Sequence, residues 1–184
     1  MVWNTIYLIG AIQGLFLAVL LFSSRYERWQ GNVFLGFLAL IISVLLSLFA
    51  ARLIWQADIP SFLFWPLTAL PTLIGPCLYF YLQSILTGIR RFVGKDCLHL
   101  LPFIIVVVAY LPETLTSPSA GLIHLDEPMT IKKTLILSYL KSIQLLIYLI
   151  ISFSLLGKDH TKNNLQESAR LFLRKLVTAF IALS

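Results

Sequence analysis

The sequence predicts an all-α protein: a polytopic transmembrane helical bundle with five complete spans and the beginning of a sixth. Three observations predict it. Charged residues make up 12% of the 184 residues, about half of the roughly 25% usual in soluble domains. Apolar residues reach 59% and the mean hydropathy is +0.89, more apolar surface than a soluble core of this size can hide. That surface is divided into runs long enough to cross a hydrocarbon layer of about 30 Å at about 1.5 Å per residue.

The first span covers about residues 2–22. The first 24 residues carry no charge. No basic residue precedes the run, and it is too long for the apolar stretch of a signal peptide. Gly10 and Gly14 are one helical turn apart, a spacing that lets helix backbones approach closely in lipid. After a polar turn with Arg25, Glu27 and Arg28, the second span covers about 33–53. Ala39, Ser43, Ser47 and Ala51 recur every fourth residue along it, which reads as a second packing seam. Trp55 and Trp65 bracket a short segment with Asp58 and Pro60. Tryptophan favours the membrane interface, so this segment reads as a surface turn.

The third span covers about 67–86 and contains Pro71, Gly75 and Pro76. Proline in a helix interior removes a hydrogen bond and kinks the chain, which lipid tolerates when neighbours re-satisfy the backbone. Thr68, Thr72, Gly75, Tyr79 and Gln83 fall on one face at about 100° per residue, and this stripe should face the bundle. A basic loop with Arg90, Arg91 and Lys95 leads to a short fourth span, about 98–111, with His99 at its start and Pro102 in its first turns. His99 reads as an interfacial anchor. Residues 112–133 have loop composition. His124, Asp126 and Glu127 lie there, but spacing in a loop is too unspecific to argue for a metal. The fifth span covers about 134–156, where Thr134, Ser138, Lys141, Gln144, Tyr148 and Ser152 share an arc of about 120°. Lys141 is the one charge inside a span. Either it snorkels to the outer interface, or it is a counter-charge for an anionic ligand or an outer carboxylate. The last apolar run starts a sixth helix at about 170–184. The nine residues after Lys175 cover only about 14 Å, which reads as a fragment of a longer chain or as an in-plane amphipathic helix.

Ten of the fourteen basic residues fall in loops 23–32, 88–97 and 157–170 or at the start of the last helix. The positive-inside rule then places these loops in the cytoplasm and the N-terminus outside. With one such loop beside Cys97, Cys77 and Cys97 are expected as free thiols. All eight carboxylates lie in loops or at helix ends, and no nucleophile shares a face with a base. The chain is therefore not expected to be an enzyme, and no catalytic residue, metal or cofactor is assigned.

Three stretches carry a resemblance: Ile12-Gln13-Gly14-Leu15, then Ile74-Gly75-Pro76-Cys77-Leu78-Tyr79-Phe80-Tyr81, then Cys97-Leu98-His99-Leu100-Leu101-Pro102-Phe103. Together they resemble the membrane-embedded N-terminal region of bacterial AraC-type transcriptional regulators, over roughly residues 10–112. The motif residues are Gly75, Pro76, Tyr79, His99 and Pro102. The resemblance implies a sensory or anchoring region in the bacterial inner membrane. Relatives of this kind carry a cytoplasmic helix-turn-helix domain after the last span. No such segment is present here, so no residue of this chain is expected to touch nucleic acid. The expected partners are the lipid bilayer, a second copy of the chain, and a signal the sequence does not name. The alternative is a stand-alone membrane protein of transporter-like or structural type. On either reading the candidate polar face is Lys141, Gln144 and Tyr148 with Tyr79 and Gln83.

Overall fold

The computed structural model describes residues 2–23, 29–55, 59–87, 94–116 and 128–158, with Lys175 and Thr178. Every element among them is helical: α1 (Val2–Ser23), α2 (Trp29–Trp55), α3 (Ser61–Ala69), a 3-10 turn (Leu70–Leu73), α4 (Ile74–Thr87), a second 3-10 segment (Gly94–Leu100), α5 (Leu101–Ala109), α6 (Leu111–Thr116) and α7 (Pro128–Lys158).

Four stretches are long and apolar enough to cross a membrane: Thr5–Ser23, Gly31–Arg52, Ser61–Ile85 and Lys132–Leu155. This is fewer than the five complete spans the sequence predicts. The expected fourth span is the shorter apolar stretch Asp96–Ala109, wound as a 3-10 helix as far as Leu100. The expected sixth, about 170–184, lies outside the described residues apart from Lys175 and Thr178, as do His124, Asp126 and Glu127.

Two further boundaries move. The third crossing starts at Ser61, and Trp65 is buried within it at 6% exposure. It is not an interfacial marker. Pro66 lies inside α3, and Pro71 fits at the start of the 3-10 turn to which the chain tightens at Leu70, whose N–H bonds the Leu67 carbonyl. The predicted loop 112–133 contains most of α6 and the first turns of α7.

Helices α1 and α2 form an antiparallel pair. Gly14 lies against Ser43 and the Ala39 carbonyl; a Cβ there would sit 3.1 Å from Ser43 Cβ. Gly10 faces Leu46, and the Ser43 hydroxyl donates to the Ala11 carbonyl. The two small-residue seams therefore meet each other. The second seam departs from its strict four-residue series. Ser47 is exposed and Ala51 half-buried, while Ala50 is buried. Four residues advance a helix by about 400°, so such a series turns about 40° per step and leaves the contact by its third member.

The outer faces of α1 and α7 are apolar and exposed, with Phe16 and Ile136 among the most open. On a helix apolar all round, these faces suit lipid. Phe34 packs on Phe80, joining α2 to α4 antiparallel. A fully buried cluster of Leu78, Leu82 and Leu149 joins α4 to α7. In lipid such contacts stabilise through dispersion and hydrogen bonding, since tails are as apolar as leucine.

The strand of contacts along α7 fixes its direction. Lys141 meets Thr68, Gln144 meets Thr72, and Tyr148 meets Gly75. Thus α7 runs parallel to α3–α4. The segment between them runs the other way: His99 lies beside Tyr79, and Tyr110 lies beside Trp65.

Candidate functional site

Pro66, Pro71 and Pro76 recur every fifth residue along the third crossing. Each lacks an N–H, so each subtracts a donor from the ladder. Pro76 should have bonded the Thr72 carbonyl four residues back. In 3-10 geometry Pro71 is the missing donor to the Thr68 carbonyl three residues back. Both carbonyls are answered from α7. Gln144 Nε2 donates to Thr72 O at 2.9 Å. Lys141 Nζ donates to Thr68 O at 2.7 Å. The Thr68 and Thr72 hydroxyls turn back on their own helix, bonding Trp65 O and Ala69 O.

Lys141 therefore does not snorkel outward. Its ammonium points into the bundle, between Thr68 O and the Tyr110 ring, whose centroid is 5.6 Å away. A cation in the bilayer centre costs about 2.5–3.5 kcal/mol on insertion scales. A hydrogen bond from a charged donor returns roughly 1.5–3 kcal/mol and a cation–π contact about 1 kcal/mol. The two contacts are of the right size to hold it inward.

One turn below, Gly75 admits Tyr148. A Cβ on Gly75 would come within 2.9 Å of Tyr148 Cβ, Cγ and Cδ2. The Tyr148 hydroxyl lies 2.5 Å from His99 Nδ1, and donates when that nitrogen carries no proton. The imidazole is ringed by Tyr79, Phe80 and Tyr148, with centroids 5.6, 5.0 and 5.6 Å away. His99 is half-buried in this cage. Asp96, at the start of the same segment, is buried.

Gln83 lies one turn beyond Tyr79, half-buried. Pro102 sits in the first turn of α5, where its missing N–H is harmless. Among the arc residues of α7, Ser138 is exposed, and Thr134 and Ser152 hold buried hydroxyl oxygens without a described partner. Cys77 and Cys97 are free thiols, the second exposed.

No family model, curated protein or solved structure matches this chain.

The half of the site around Trp65 and Tyr110 was missed by sequence reasoning. Trp65 stacks on Tyr110, with centroids 4.7 Å apart and planes 16° apart. Lys133 faces the Tyr110 ring at 5.7 Å, and Arg52 covers Phe64 at 4.2 Å. Tyr110 is 1% exposed. Nothing in its flanking apolar run distinguishes it, and only the fold brings it to α7. Thr72 carried a usable signal, because any residue four before a proline in a helix loses its acceptor's partner.

Proposed function

We propose that this chain is the membrane-embedded sensory and anchoring region of an AraC-type transcriptional regulator in a bacterial inner membrane. One observation carries the reading. Two of the three stretches on which the resemblance rests converge on a single residue of α7: Gly75 admits the Tyr148 ring, Tyr79 flanks it, and His99 bonds its hydroxyl. Elements this far apart in sequence and joined at one contact suit a bistable packing that a cue can bias.

The proposed membrane arrangement has five complete crossings, with Asp96–Ala109 as the fourth. Because α7 lies parallel to α3–α4, the chain has to return between them. Counted from Gly94 to Ala109, seven residues at the 3-10 rise of about 2.0 Å and nine at about 1.5 Å reach about 27 Å, close to the hydrocarbon thickness. Five crossings gather loops 23–32, 88–97 and 157–170 on one side. Their basic residues make that side the cytoplasm and leave the N-terminus outside. A sixth helix begun at about 170 would carry the chain onward to the reader. A cue that binds one arrangement of α7 on the broken helix better than another would shift their populations.

The decisive test is the reading frame beyond Ser184 in the source DNA. A frame that continues into a cytoplasmic helix-turn-helix segment is expected. A stop codon directly after Ser184, with no such reader encoded nearby, overturns the proposal.

A second reading, a stand-alone transporter-like protein, is favoured by the broken third crossing and the lysine inside the bundle, since transporters place ligands at interrupted helices. Here, however, Lys141 and Gln144 fill the break themselves. Solute uptake by vesicles holding the pure chain would be needed to revive it.

A further inference from the structure

The ammonium of Lys141 has three N–H donors. Among the described residues it makes one hydrogen bond, to Thr68 O, and one ring contact, to Tyr110. Lys141 lies nine residues into the fourth long apolar stretch, about 13 Å below Lys132 by helical rise. At that depth neither spare donor has bulk water to turn to, and ionisable groups in membranes are otherwise paired.

A second, independent feature lies on the same face. Thr134 Oγ1 is buried without a described partner. Seven residues separate it from Lys141, so the two side chains are only about 20° apart around α7. Leu137, between them, packs on Trp65 and Tyr110. Lys133 faces the same tyrosine ring from above. The result is one face, set against an aromatic stack, that holds the Lys141 ammonium and an unused hydroxyl. Beside it on α7 the surface is apolar and open: Ile136 and Leu140 are both exposed.

We propose that this face binds the carboxylate of a single-chain amphiphile of the fatty-acid class. Lys141 and Thr134 hold the oxygens, and the alkyl chain lies along the exposed apolar residues of α7. Charge complementarity calls for an anion, and the unused donors call for one with two acceptor oxygens. Depth selects its source. A bulky phospholipid headgroup would have to be drawn far below its own interface to reach Lys141, whereas a slim single-chain acid has only its carboxylate to carry to that depth. The proposal does not depend on the regulator reading, because binding is measured on the isolated chain.

The test uses Trp65, stacked on Tyr110, as the reporter. Trp3, Trp29 and Trp55 are replaced by Phe, and the chain is set in phosphatidylcholine nanodiscs. Dibrominated stearate is expected to quench Trp65 saturably. Its methyl ester, equally lipid-soluble, is expected to quench only in proportion to its concentration. Lys141→Met should weaken the saturable phase at least tenfold, the size of one lost charge-assisted hydrogen bond. Thr134→Val should weaken it about threefold, and Lys141→Arg should retain it. If Lys141→Met does not fold, the acid–ester comparison and Thr134→Val still decide. Equal quenching by acid and ester, equal competition by phosphatidylglycerol, or binding unchanged in folded Lys141→Met and Thr134→Val each overturns the proposal.

Discussion

At Gly75 a hydrogen atom is all that fits between two helices. The Tyr148 ring occupies the volume a methyl would take, with three of its atoms 2.9 Å from that position. Gly75→Ala is therefore expected to destabilise the bundle by about 1–3 kcal/mol, the usual cost of overpacking. The measurement is reversible unfolding in detergent. If the clash with Tyr148 is the cause, Tyr148→Ala should absorb most of that cost in the double variant, a coupling of at least about 0.5 kcal/mol. Additive costs would mean the glycine acts through its own backbone. Tyr148→Phe is a separate probe, since it removes only the bond to His99. It should cost about 0.5–1.5 kcal/mol. Most of these residues can be picked out in the sequence, because a tyrosine, a glutamine or a lysine among leucines is conspicuous and a polar stripe in lipid must face inward. Their partners cannot. Nothing local to Lys141 tells that it bonds a backbone oxygen 73 residues earlier, nor that the unremarkable Tyr110 is the ring beneath it.

On the scale of elements, the third crossing survives three prolines by a division of labour. The chain winds tighter at Leu70–Leu73, and α7 supplies side-chain donors where the ladder lacks them. This arrangement makes a directional prediction. Gln144→Leu leaves Thr72 O without its donor and should cost about 1–3 kcal/mol, the penalty of an unsatisfied buried acceptor. In a Pro76→Ala background the helix regains an N–H at that carbonyl, and the same Gln144→Leu should cost about 1 kcal/mol less. The comparison is a four-member cycle of unfolding free energies. A full-sized Gln144→Leu cost in the Pro76→Ala background would show that the glutamine is needed for packing and not for the carbonyl. The same element explains why the sequence misplaces its start. Read locally, Pro60, Trp65 and Pro66 look like a surface turn. Buried stacking of Trp65 on Tyr110, contributed by a helix 45 residues later, overrides that signal. The fourth predicted span is short for a different reason: its apolar residues are as expected, but the chain winds as a 3-10 helix as far as Leu100, which hydropathy does not report.

For the whole molecule, the question that matters is which ends share a side. Contacts fix the relative directions of the helices. Helix α1 opposes α2, α2 opposes α4, and α7 follows α3–α4. Only a return between Thr87 and Pro128 reconciles the last of these with a chain confined to a bilayer. On the proposed five-crossing arrangement Gly94–Ala109 supplies that return, with the reach for it although it is short by residue count. Two sites would then lie on opposite sides. In a background with Cys77→Ala and Cys97→Ser, cysteines at Thr87 and Thr114 are probed with a membrane-impermeant maleimide. Thr114→Cys should react in intact cells, and Thr87→Cys only after the membrane is opened. Labelling of both from outside, or of neither, would mean that Asp96–Ala109 turns back within one leaflet. The parallel run of α7 would then need another route. Labelling of Thr87→Cys alone from outside would keep the five crossings and invert the proposed orientation, against the ten basic residues that argue for it.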